Sequence, residues 1–261
     1  MNCLNWKRRK NRTKKKQHRS LRWVFRAALV CLAFAAVSFA VLKSKAMIFD
    51  KYPDLSEYPC RGAYVTEKTG KINWKAIKSG NISFCYIRAT SGAYYSDKNL
   101  VSNLKGSSIA NIPVGLVHDF DFFCGGELQA ENYLRKLGEA SGRLIPAVDI
   151  TMTVYERIRC TDLPGIGAEL NRFVDRIKDS IGVGAVLMCD KYVYEALDLE
   201  RSGALIWAVD EGDCAFTDKW TLFSFSDNGR SAAFADKDAR CVMVSAAKNI
   251  SKDMFYNRYI I

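Results

Sequence analysis

Apolar positions along this chain recur in two rhythms. Short runs rich in apolar, β-branched and aromatic residues read as strands: Gly62–Val65, Phe84–Ala89, Val114–Phe120, Leu144–Ile150 and Gly184–Met188. Between them lie stretches that read as helices: Asn73–Lys78, Lys98–Ala110, Glu127–Ala140, Gly165–Ser180 and Tyr192–Leu197. The fourth of these carries Leu170, Phe173, Val174 and Ile177 at i, i+3, i+4 and i+7, one face of a helix. After residue 200 the helical rhythm fades. Ala204–Val209, Leu222–Ser226 and Cys241–Val244 read as three more strands joined only by loops. Five β-α units followed by three strands make eight strands, enough to close a barrel.

The start of the chain follows a different rule. Residues 1–26 hold 11 of the 39 basic residues and no acid. The remaining 28 basic residues balance the 28 acids, so the net charge of +11 belongs to this arm. A neutral body gives no electrostatic support for nucleic-acid binding. The arm runs into Ala27–Leu42, which is apolar except for Ser38, and Trp23, Val24 and Phe25 extend it to the length of a membrane span. This predicts a basic cytoplasmic arm over 1–22, a single transmembrane helix over 23–42, a linker over 43–59 and a barrel domain over 60–261. By the positive-inside rule the barrel would lie outside the cell membrane, in a periplasmic or extracellular setting. Ser38-Phe39-Ala40 also reads as a signal-peptide cleavage site, so a cleaved leader stands as the rival reading.

Nine cysteines and two histidines constrain the chemistry. Cys85 and Cys189 sit in or at the ends of apolar runs and read as buried thiols. Cys60, Cys124, Cys160 and Cys214 fall between predicted elements and could form one or two disulfides. There is no C-x-x-C pair, and His118 is the only histidine outside the arm. The residues therefore give no metal-ligand spacing, and no cofactor is implied.

Several stretches, in order, resemble glycoside hydrolase family 25, the muramidases of bacteria and phages. Ile82–Gly92 is similar to the family's "sFvyIKATEG", and Ile112–His118 to its "GIPVGaYH". Tyr95, Asp97 and Asn103 fall between them at like spacing. Gln129–Leu134 looks like the third helix, Phe223–Gly229 like the late "WQYSDxG" strand, and Leu144–Thr151 like the strand that ends Asp-x-Glu. The resemblance covers roughly residues 62–255. It implies an α/β, TIM-like (β/α)5(β)3 barrel with its groove at the carboxyl ends of the strands.

Carried over residue by residue, the resemblance keeps one acid and loses others. Asp149 stands at the Asp of Asp-x-Glu, but Thr151 stands at the Glu, which in the family is the proton donor. Tyr64 occupies the place of the first-strand Asp, Ser91 that of the Glu in "KATEG", and Phe223 and Ser224 those of the Trp and Gln of "WQYSD". Thr151 has no proton to give near neutral pH, and glycoside hydrolysis normally needs two carboxyls. Asp119, Asp121, Asp190, Asp210 and Glu211 lie at strand ends, where Asp119 or Asp121 could supply a displaced acid. Solvated loop acids or helix caps are the plainer reading of the same residues. His118 reads either as a satisfied histidine or as a base. Phe120, Phe122, Phe123, Tyr94 and Tyr95 read either as sugar-stacking faces or as packing. Asp149, with His118, Asp119, Asp121, Asp210 and Phe223 as further groove residues, makes the expected site. The expected partner is peptidoglycan, another envelope glycan or an envelope protein, bound with little or no hydrolysis. An active muramidase and a pure protein-interaction module are the alternatives.

Overall fold

Strand alternation sets the architecture, because successive side chains point to opposite faces of a sheet. The structure is a computed structural model that describes residues 28–32, 57–79, 82–138, 144–209, 216–229, 241–246 and 250–261. The chain divides into two compact units, Met1–Lys51 and Tyr52–Ile261.

In the second unit the strands are β1 (Arg61–Val65), β2 (Phe84–Ser91), β3 (Tyr95–Ser96), β4 (Val114–Asp119), β5 (Ala147–Asp149), β6 (Val186–Cys189), β7 (Leu205–Val209), β8 (Trp220–Gly229) and β9 (Cys241–Ala246). They hydrogen-bond in the order β1-β9-β8-β7-β6-β5-β4-β2-β3, and a parallel β1–β2 pairing closes the ring. The result is a closed eight-stranded barrel, with β3 a two-residue hairpin arm on β2. In the ring, the pairs β1–β2, β2–β4 and each successive pair from β4 to β8 are parallel, β9 runs antiparallel to both β8 and β1, and the arm β3 runs antiparallel to β2.

The helices are α1 (Trp74–Ser79), α2 (Leu100–Ala110), α3 (Gly126–Leu137), α4 (Val154–Arg159), α5 (Leu163–Ile181), α6 (Lys191–Ala196), α7 (Leu199–Ser202) and α8 (Lys252–Tyr259). α5 shows how local sequence fixes an element. Asp162 caps its start by accepting from Gly165 N at 3.0 Å, and Gly182 ends it at φ 78°, a left-handed conformation that glycine adopts freely. Ile166, Leu170, Phe173 and Ile177 bury one stripe of it against the strands.

Two apolar layers follow from the alternation. Outward strand residues such as Val65, Ile87, Leu116 and Val148 meet the helices. Inward residues fill the barrel, among them Phe84, Tyr86, Val117, Val186, Met188, Trp207, Leu222 and Val244. The rings of Phe84 and Tyr86 take up space that a side chain at Gly62 and Gly115 would need: a Cβ there would lie 2.3 and 2.2 Å from them. At the amino end of the barrel, α8 lays Phe255 against Phe84 with ring centroids 4.7 Å apart.

The fold departs from the sequence expectations in four places. The strand expected over Leu144–Ile150 is regular only over Ala147–Asp149. Pro146 has no N–H for a ladder, and Leu144 instead bridges Ile260. Helix α4 breaks the expected loop between the fourth strand and the next long helix, and α8 lies beyond the last expected strand. Cys60, Cys124 and Cys160 are free thiols, while Cys214 lies outside the described residues.

The fourth departure is the membrane span. Among the described residues no helix is long and apolar enough to cross a membrane. Of the expected span 23–42 the structure describes residues 28–32, which are helical and exposed. The arm 1–22, the rest of 23–42 and residues 43–56 of the linker lie outside the described residues. The single-pass topology, the outside location derived from it and the membrane as a partner are therefore withdrawn.

Candidate functional site

Four inward-facing residues at the carboxyl ends of the strands make the site: Tyr64 on β1, Arg88 on β2, Asp119 on β4 and Asp149 on β5. Asp119 and Asp149 are register partners on neighbouring parallel strands. Register partners of adjacent strands lie about 4.8 Å apart, so the two carboxylates face the barrel mouth side by side.

Each carboxyl has its own partners. Asp149 Oδ1 accepts twice from Thr151, from N at 2.9 Å and from Oγ1 at 2.7 Å. Asp119 Oδ1 accepts from the Tyr64 hydroxyl at 3.2 Å, and its Oδ2 accepts from the Arg88 guanidinium at 3.2 Å. Arg88 is the hub. It also donates to Asp97 at 3.0 Å, pairs with Glu67 at 3.5 Å, and lies 5.5 Å from the centre of the Tyr95 ring. Asp97 is buried and is fixed further by the backbone N–H groups of Glu67 and Asn99.

These surroundings set the protonation states. Burial, joined by the charge of Asp119, pushes the Asp149 carboxyl up to about 7, and the two Thr151 hydrogen bonds offset only part of this. Burial also raises Asp119, against the pull of Arg88 and the Tyr64 hydrogen bond. Tyr64 is held well above a normal phenol by burial and by both carboxylates, so it stays a neutral donor. Burial opposes the charge on Arg88, but Asp119 and Asp97 outweigh it and keep the guanidinium ionised. Near neutral pH the mouth thus holds one carboxyl that is easily protonated beside one that is paired with arginine.

The other expected site residues lie elsewhere. His118 is the neighbour of Asp119 along β4, so it points to the helix side, fully buried. A register shift between Arg88 and Thr90 brings Thr90 Oγ1 to 2.8 Å from His118 Nδ1. His118 Nε2 lies 3.1 Å from Gln129 Oε1, which already accepts from Asp121 N. Since that oxygen can only accept, Nε2 carries the proton and Nδ1 accepts from Thr90. Burial lowers the imidazole to about 4, so it is neutral above that. His118 is therefore a wall residue stacked on Phe173 at 4.8 Å. Asp121 shapes its loop by accepting from Phe123 N at 2.9 Å. Phe223 packs into the helix-side layer, 5.6 Å from Trp220. Ser91 ends β2 in register with Asp119 and is partly exposed, and Asp210 lies outside the described residues.

Arg88 and Asp97 are site residues that the sequence reading placed within the resemblance, Asp97 by name, but to which it gave no role at the mouth. The residues themselves signalled only an arginine in an apolar strand followed nine positions later by an acid. Among the described residues, no group of three or more His, Cys, Asp or Glu is placed to hold a metal ion.

A closed barrel of mostly parallel strands with acids at its carboxyl-end mouth has the layout of a TIM-like barrel with its site at the strand ends. The comparisons give the family. The model "Glycosyl hydrolases family 25" matches residues 65–233, more than half of the chain, and the protein belongs to that family. Lysozyme M1 of Streptomyces globisporus is 38% identical over 58 residues, which are 22% of this chain and 20% of that protein. The match thus spans a fifth of the curated relative's length. A family 25 glycosyl hydrolase from Bacillus anthracis superposes with a TM-score of 0.72 at 21% identity, covering 79% of this chain and 95% of that one. The bacterial lysozyme from Streptomyces coelicolor gives 0.66 at 20% identity, covering 76% and 97%. At these identities the superpositions establish the shared fold.

Proposed function

We propose that this domain binds a peptidoglycan-type glycan at its barrel mouth and hydrolyses it slowly or not at all. One observation carries the reading. Thr151 stands where the resemblance puts the proton donor, and its hydroxyl is committed to Asp149 at 2.7 Å. A donor with no accessible proton leaves glycosidic cleavage without its acid, a loss of about 10²–10⁴ in rate.

A second reading rests on the Asp119–Asp149 pair. Two carboxyls whose surroundings separate their protonation states can divide acid and base roles. Asp149 would then be the donor and Asp119 the second carboxylate, but Tyr64 and Arg88 already occupy both oxygens of Asp119.

Sedimentation with insoluble peptidoglycan and release of reducing ends, measured between pH 4 and 8, separate the readings. Binding without release is the expected result. Turnover that Asp149→Asn and Asp119→Asn each abolish would establish the second reading in its place. Absence of binding would remove the first.

A further inference from the structure

The neutral total of residues 27–261 conceals a segregation of charge. Residues 68–118 hold seven basic residues and a single acid, Asp97, which is buried against Arg88. That surplus of six is matched by a deficit of six over the rest of 27–261. The six other cations of the segment are Lys68, Lys71, Lys75, Lys78, Lys98 and Lys105, and all are exposed. Among the described residues none of the six has a carboxylate within ion-pair distance, whereas Lys191, Arg201 and Lys219 elsewhere on the surface do.

The fold gathers the six on one side. Trp74 of α1 packs on α2 so closely that a Cβ at Gly106 would lie 2.1 Å from its ring. Lys75 and Lys78 stand on α1 at i and i+3, one face, with Lys71 in the approach to it. On α2 the exposed stripe is Val101, Ser102, Lys105, Ser108 and Ile109, and Lys98 stands just before it. Both stripes begin at the barrel mouth. Lys68 follows Glu67 and Lys98 follows Asp97, the acids that hold Arg88 at 3.5 and 3.0 Å. The Tyr95 hydroxyl first, and then the charge of Lys98, hold the Glu67 carboxyl below its usual range. Like charges crowded without acids repel one another, so fold stability does not explain them.

The residue types narrow the occupant. All six cations are lysines, compact point charges that suit phosphate groups. The planar fork of arginine, which matches a carboxylate with two parallel hydrogen bonds, is missing from this face. Neither helical stripe exposes an aromatic ring on which a nucleic-acid base would stack. Beside the lysines stand Val101 and Ile109, 67 and 70% exposed, and the hydroxyls of Ser102 and Ser108. These are contacts for an aliphatic, hydroxyl-bearing chain.

We propose that the lysine face of α1 and α2 binds an anionic polymer of polyol units joined by phosphodiesters. The site is separate from the mouth and does not depend on what the mouth binds. The test titrates the full chain with soluble poly(glycerol phosphate) at two salt concentrations. A variant carrying Lys71→Gln, Lys75→Gln, Lys78→Gln and Lys105→Gln is expected to bind at least about tenfold more weakly at low salt, with a shallower dependence on salt. These lysines are exposed and unpaired, so the melting temperature is expected to stay close to that of the unchanged chain. Because the arm over 1–26 is itself basic, a companion variant carries Lys10→Gln, Lys14→Gln, Lys15→Gln and Lys16→Gln. It is expected to lose less affinity than the first. A larger loss in the arm variant overturns the inference, as does no binding by the unchanged chain. Polyglutamate or oligothymidylate of equal charge that binds the unchanged chain as tightly would make a carboxylate polymer or a nucleic acid the occupant, and overturns it as well.

Discussion

Tyr64 on β1 and Asp119 on β4 are joined by a 3.2 Å hydrogen bond that spans the intervening strand β2, whose Arg88 holds the other oxygen of the same carboxyl. The resemblance puts a carboxylate at position 64. Here a phenol stands there as a donor, and the second carboxylate of the mouth comes from β4. The Tyr64 ring also packs edge-on to Trp207 at 5.7 Å, so it serves the barrel interior and the mouth together.

Tyr64 can be divided by substitution. Tyr64→Phe removes only the hydrogen bond and is expected to cost about 1 kcal/mol in urea unfolding. Tyr64→Asp removes the ring and adds a third carboxyl beside Asp119 and Asp149. It is expected to cost about 3–5 kcal/mol, the range for deleting a buried aromatic side chain. Restoring the family's first-strand acid alone therefore weakens the fold.

Asp149 should make stability depend on pH. An aspartate with an ordinary pKa of 3.8 stands at about 7 in the fold. Between those values the folded chain keeps a proton that the unfolded chain has lost. The contribution of Asp149 therefore falls as pH rises from about 4 to about 7 and is flat above. Asp149→Asn keeps the acceptor for Thr151 without the charge. It is expected to raise the melting temperature over wild type at pH 8 and to leave it unchanged at pH 4. Each kcal/mol relieved corresponds to about 2–4 °C in a domain of this size.

His118 acts in the opposite sense. Its pKa of about 4 lies below the ordinary 6.5, so between these values the unfolded chain holds the proton that the folded chain lacks. Its contribution is whole above about 6.5 and is lost as pH falls toward 4. His118→Gln is expected to lower stability at pH 7 by about 1–3 kcal/mol, through imperfect pairing of Thr90 and Gln129. The loss of stability on acidification should become shallower, as denaturant melts at pH 4.5 and 7 would show. Glycan binding between pH 5 and 8 should keep its pH profile.

Thr151→Glu tests what limits catalysis. It places a proton donor at the end of β5 and frees Asp149 Oδ1 from the threonine hydroxyl. Release of reducing ends from peptidoglycan is expected to rise by about 10²-fold, the lower end of a general acid's contribution. No increase would place the limit in the remaining groups of the mouth.

The barrel was legible because its strands and its long helix α5 carry their periods in consecutive residues. Helix α4 was not, because Val-Tyr-Glu-Arg-Ile-Arg shows no core-facing stripe and its capping box alone marks it. The orientation of His118 was readable in principle: with Val117 and Asp119 turned inward, the residue between them faces the helices. Phe223 is harder, since it depends on a register shift between β7 and β8 near Ile206 and Trp207 that residue types do not announce. The Arg88 network was hidden for a different reason. Its partners Glu67, Asp97 and Asp119 follow β1, follow β3 and end β4, and only the pairing of β1 and β4 on either side of β2 brings them together.

Closure also sets an order of events during synthesis. β1 pairs with β2 early, but its other edge is covered only by β9, through Arg61–Ser245 to Tyr64–Val242. At the usual ~5–20 residues per second, roughly 10–40 s of translation separate those two strands. Through that interval the growing chain presents an open sheet edge of the kind that invites pairing with other chains. α8, the helix that follows β9, covers Phe84 with Phe255 and lets Tyr256 donate to Ser83 O. The aggregation hazard of this fold thus belongs to the growing chain, and it ends once β9 and α8 have closed over β1 and Phe84.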